Sequence, residues 1–129
     1  MSEPRYVTEA KEKAAAVRHH LSLGFEAVAN IFHLLEEAGL PVVKKNMGED
    51  GPDGIYANDG KLAVTFINTS RRITRQRFTA AHEFGHHLFD SETGLRLDED
   101  IFEAGDIREK RANSFAANFL MPEEGIRKL

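Results

Sequence analysis

Cysteine is absent from this chain of 129 residues. That absence excludes disulfides, thiolate zinc sites and thiol nucleophiles, and it leaves the fold indifferent to redox compartment. Long apolar runs are missing as well, since no stretch approaches the 18 residues a membrane helix needs. The opening Met1-Ser2-Glu3-Pro4-Arg5 has no basic segment leading into an apolar core, so no secretory signal is read there and a cytoplasmic location is expected. There is no excess of positive charge: 17 Lys and Arg stand against 21 Asp and Glu, a net charge of -4. No overall attraction to nucleic acid or to an anionic membrane follows. Aromatic residues are few at 9%, but 41% hydrophobic content suffices for one modest core, so a single domain over residues 1–129 is expected.

What the chain does have is a set of short elements of both kinds. Thr8 to Leu23 is rich in Ala, Lys and Glu and predicts a helix with Thr8 as N-cap and a thin apolar face. A second helix is expected from Phe25 to Ala38, with Val28, Ile31, Phe32 and Leu35 on one side and Gly39 closing it. His19, His20 and His33 fall on these helices without any carboxylate spacing, and they read as surface or packing residues. Leu40 to Lys45 predicts a strand, and Asn46 to Asp53 a mobile loop. Gly54 to Ala57 and Leu62 to Ile67 bracket Asn58-Asp59-Gly60, which is hairpin chemistry because these residues tolerate positive φ. Together they predict a small three-stranded antiparallel sheet. An edge strand near the motif described next could hold an extended peptide by strand addition.

The motif is His82-Glu83-Phe84-Gly85-His86, within a helix whose apolar stripe is Phe78, Ala81, Gly85 and Leu88. Residues i and i+4 of a helix lie about 40° apart around the axis, so both imidazoles project toward one point. A catalytic zinc takes three protein ligands and leaves a fourth position for water. Glu83, about 100° further round, is placed to accept a proton from that water. The third ligand is expected from the last helix, Ile107 to Leu120, where Glu109 stands one turn before Asn113. Asn113 can hydrogen-bond a ligand imidazole and fix its tautomer. If Glu109 points away, Glu103 is the replacement. No histidine stands six residues after His86, where Glu92 falls, which excludes the three-histidine metzincin pattern.

Four arginines, Arg71, Arg72, Arg75 and Arg77, lead into the motif helix. Arginine forks carboxylate and phosphate well, so the run could grip an acidic partner, but a solvated helix start is the favoured reading. The negative total charge and the lack of a recognition-helix pattern speak against direct nucleic-acid binding. Arg71 and Arg72 are the residues expected to touch a protein substrate.

Arg77-Phe78-Thr79-x-Ala81-His82-Glu83-x-Gly85-His86, followed by Glu109-x-x-Ala112-Asn113-x-Phe115-Ala116-Ala117-x-x-Leu120-Met121-Pro122, closely resembles the ImmA/IrrE family of metallopeptidases, which is gluzincin-like. The resemblance implies an α+β, zincin-like domain: a helical scaffold, the small sheet, a metal helix and a second ligand-bearing helix. It implies one Zn2+ per chain on His82, His86 and Glu109, with Glu83 catalytic and Asn113 behind the ligands. It also implies an endopeptidase that cuts a helix-turn-helix repressor or antitoxin-like protein in a mobile-element, prophage or stress switch, with no membrane and no direct nucleic-acid partner. Relatives often continue past the Leu-Met-Pro block, so a C-terminal extension is expected to be missing here. The competing class is a binding module that sequesters such a partner without efficient proteolysis. Glu83 favours the enzyme, because a pure binding module needs no base beside the metal.

Overall fold

The computed structural model describes residues 3–98, 106–122 and 125–126. The element order is α1 (Arg5–His20), α2 (Ile31–Glu37), β1 (Val42–Lys45), β2 (Gly54–Asn58), β3 (Ala63–Asn68), α3 (Ile73–Phe89), β4 (Gly94–Asp98) and α4 (Ile107–Leu120). The α+β class agrees with the sequence reading, and the sheet differs from it in two respects. It has four strands in the order β1-β3-β2-β4, and β1 runs parallel to β3. The loop from 46 to 53 carries the chain past β3, so β1 and β2 are not neighbours. The hairpin β2-β3 is antiparallel as expected, with Asn58 paired to Ala63 and Gly60 at φ 92° in the turn. β4 pairs antiparallel with β2 along its whole length and forms the sheet edge. The sequence gives β4 a weak signal, Gly-Leu-Arg-Leu-Asp, which reads as part of a polar connector.

Helix limits move for tertiary reasons. α1 begins after Pro4 rather than at Thr8, whose hydroxyl instead donates to Glu3 Oε2 at 3.3 Å. Its buried face is Ala10, Ala14 and Arg18, small enough at two positions for close approach to α4. α2 starts only at Ile31, where the Asn30 side chain accepts from the His33 N–H. The carbonyls before it are taken elsewhere: Arg18 donates to Gly24 O and Glu26 O, and Arg77 to Val28 O and Ala29 O. The Val28 N–H donates to Leu120 O at 3.0 Å. Those external partners replace the bonds a longer helix would have made.

The expected mobile loop is also tied down. The Asn68 side chain accepts from the Met47 N–H and donates to Gly48 O and Pro52 O.

α3 and α4 form the core with an aromatic cluster, in which Phe84 lies edge-on to Phe115 and Phe119 with centroids 5.8 and 5.5 Å away. Each is fully buried, contributing about 2 to 3 kcal/mol from area alone. Gly85 sets the spacing of the two helices, since a Cβ there would lie 3.0 Å from Phe115 Cδ1 and 3.4 Å from Ala112 Cα. Close packing at this point is what brings the start of α4, with Glu109, over the motif. Among the described residues no helix is long and apolar enough to cross a membrane.

Candidate metal centre

On α3 the imidazoles of His82 and His86 turn to one point, with centroids 4.6 Å apart. Glu109 comes in from the first turn of α4, a helix capped by Asp106, whose side chain accepts from the Glu109 N–H. His82 Nε2 lies 2.9 Å from Glu109 Oε2, and His86 Nε2 lies 3.0 Å from Glu109 Oε1. Apart from these approaches to one another, both Nε2 atoms and Glu109 Oε2 are buried without a hydrogen-bond partner. Buried polar atoms are rarely left so, because each costs roughly 1 to 3 kcal/mol. Ligands 2.0 to 2.1 Å from a tetrahedral ion stand about 3.3 Å apart, within a few tenths of an ångström of the separations here. Two imidazoles and a carboxylate therefore fit a zinc ion, and His82, His86 and Glu109 would hold it. Glu103 lies outside the described residues.

The far side of each imidazole is also engaged. His82 Nδ1 is 2.7 Å from Asn113 Oδ1, which brings Asn113 to the position the sequence suggested. His86 Nδ1 is 3.2 Å from Asp90 Oδ2, and Arg111 Nη2 donates to Asp90 Oδ1 at 2.6 Å. These bonds fix which nitrogen would face a bound ion. Asp90 was legible in principle, four residues after His86 at the C-cap of α3. His87 turns away, its Nδ1 2.8 Å from the Tyr56 hydroxyl.

Glu83 is fully buried beside the ligands. Its Oε1 accepts from Arg96 Nη2 at 3.1 Å, and its Oε2 has no partner. Burial pushes its carboxyl well above the ordinary value, and the neighbouring Asp98 pushes the same way, while Arg96 opposes both. For Glu109 burial also acts upward, but hydrogen bonds and charge from His82 and His86 outweigh it and hold the carboxyl below the usual range. Asp98 completes a group in which the ligand atoms of His82, His86, Asp98 and Glu109 all lie within 4.8 Å of one another. Arg96 and Asp98 were missed by sequence reasoning because β4 was missed. A cleft of about 270 Å³ opens onto the site, lined in part by Tyr56, His86, Leu95, Arg96, Arg108 and Glu109.

The arginine run is mostly internal. Arg71 Nε and Arg75 Nε both donate to Asp53 Oδ1, at 2.8 and 3.0 Å, and Arg71 Nη2 donates to Gly51 O at 2.7 Å. Arg71 is thus bonded to the 46–53 loop, where it supplies a counter-charge to the buried Asp53 carboxylate. Arg72 is exposed at the start of α3.

Residues 35–129 match the peptidase family described as the IrrE N-terminal-like domain. The radiation response metalloprotease IrrE of Deinococcus radiodurans is 38% identical over 94 residues, which cover 69% of this chain and 28% of that protein. The matched part is therefore little more than a quarter of that relative's length. With most of its own residues in the match, including both histidines of the motif and the α4 glutamate, the chain belongs to the IrrE N-terminal-like family of metallopeptidases.

Proposed function

We propose that this chain is a zinc-dependent endopeptidase that acts in the cytoplasm on a helix-turn-helix repressor or antitoxin-like protein, relieving repression. The observation that carries the reading is the convergence of three buried, otherwise unpartnered ligand atoms on one point beside a fully buried glutamate. A bound zinc ion would supply Lewis acidity to the scissile carbonyl and bring water's pKa near 7. The protein supplies the rest. Glu83 Oε2, free of other bonds, accepts the proton of the attacking water and returns it to the departing amine. Asn113 and Asp90 hold the two imidazoles in place.

The outer edge of β4 borders the cleft, so an extended substrate segment can add there as a further strand and run past Glu109. A single cut follows if only a linker between folded parts of the substrate can reach that edge. The repressor as substrate rests on the family resemblance. The test is incubation of the zinc-loaded protein with a candidate helix-turn-helix repressor. A single cut giving two fragments, blocked by a chelator and lost in Glu83→Gln, is expected. Tight binding without any cut would replace the enzyme by the sequestering module, and cleavage that persists in Glu83→Gln would refute the mechanism.

A further inference from the structure

β4 alternates in an unusual sense. Its leucines face out, Leu95 at 70% and Leu97 at 53% exposure, while Arg96 and Asp98 turn in toward α3. Alternation normally buries the apolar set, so hydrophobic burial does not explain this register. Arg96 sits directly across from Tyr56 in the ladder, and its guanidinium stacks on that ring at 4.9 Å. Nη2 donates to Glu83 Oε1, and Nε reaches Asp98 Oδ2 at 3.5 Å. The guanidinium also feels the charge of Glu109 and lines the cleft with His86. Among the described residues nothing accepts from Nη1.

We propose that Arg96 is a catalytic residue whose Nη1 edge donates to the scissile carbonyl oxygen as that oxygen becomes anionic. The proposal rests on the reading of this cleft as a peptidase site. In the step concerned, the water oxygen bonds to the carbonyl carbon, its proton passes to Glu83 Oε2, and the π pair moves onto the carbonyl oxygen. When the pair returns, the C–N bond breaks and the amine leaves with the proton from Glu83. Arg96 changes no bond. It presents fixed positive charge where negative charge develops, held in place by the Tyr56 ring and two carboxylates, so little reorganisation is needed.

The probe is inorganic phosphate, a tetrahedral oxyanion, titrated into cobalt(II)-loaded protein and followed in the visible spectrum of the ion. Arg96→Gln should bind cobalt as the parent does but phosphate at least about tenfold more weakly, as expected for loss of a hydrogen bond to a charged group. With a cleavable substrate, kcat should fall about 10²- to 10³-fold with KM nearly unchanged. In the unaltered protein, phosphate should also slow phenylglyoxal modification of Arg96, read by peptide mass spectrometry, so the proposal does not depend on the variant folding. Equal phosphate affinity in parent and Arg96→Gln, or no protection of Arg96, would overturn it. A parent that takes up no cobalt would instead overturn the metal-site reading itself.

Discussion

Replacing Gly54 with alanine tests how closely the sheet and the motif helix are fitted. Gly54 is the first residue of β2 and faces α3, and its φ lies outside the left-handed region, so only space is at issue. A Cβ there would stand 2.9 Å from Glu83 Oε2, 3.0 Å from Thr79 Cγ2 and 3.2 Å from Phe66 O. Ordinary contact begins near 3.4 Å, so something must yield by about 0.5 Å. Phe66 O belongs to the β3 backbone and Thr79 is buried in α3, which leaves the Glu83 carboxylate and the β2-α3 spacing. Overpacking of this kind costs typically 1 to 3 kcal/mol. For a chain of this size that lowers Tm by roughly 4 to 12 °C. A half-ångström displacement of the general base should reduce kcat about tenfold or more, given that 1 Å can cost a hundredfold. Metal content should be unchanged, because none of the three atoms nearest the new methyl group belongs to His82, His86 or Glu109. The assay combines thermal unfolding, metal analysis and cleavage rate on the one variant. Parent Tm together with parent kcat in Gly54→Ala would refute the account of how Glu83 is positioned.

Other outcomes follow from the same contacts. His82→Ala should lose stoichiometric metal, read directly by elemental analysis of the purified protein. Asn113→Ala should weaken zinc about 10- to 100-fold, measured with a competing chelator, because the His82 ring loses its orienting partner. Asp53→Ala should cost about 2 to 3 kcal/mol in urea unfolding, below the usual figure for a broken buried pair because Arg71 and Arg75 are partly solvated. In the metal-free protein, burial and Asp98 hold the Glu83 carboxyl above its ordinary value, so the folded chain keeps that proton more tightly than the unfolded one. The contribution of Glu83 to stability is then fully present below the ordinary carboxylate range and is lost as pH rises from there through the raised value. Metal-free Glu83→Gln should accordingly outlast the metal-free parent at pH 7, with the difference vanishing near about pH 4.

The metal-binding chemistry was legible because it is local. His82, Glu83 and His86 need only the period of a helix to face one another, and their helix is long and strongly patterned. Glu109 and Asn113 were legible for a related reason: four residues apart on a second amphipathic helix, they move as one unit wherever that helix docks. The turn at Asn58-Asp59-Gly60 likewise depends on neighbouring residues alone. What the sequence by itself could not decide was long-range. Arg18 and Arg77 draw the carbonyls of residues 24–29 away from helical partners more than forty positions along the chain in the case of Arg77, and no window of sequence contains that competition. The parallel pairing of β1 with β3 depends on the path of a loop held by Asn68. β4 was hidden because its apolar residues face solvent and its charged ones face the site, so the usual link between hydrophobicity and burial runs backwards there. That reversal is a tertiary fact: only the pairing of β4 along β2 brings Arg96 and Asp98 beside Glu83, and the contacts made there are electrostatic, which no hydropathy pattern records.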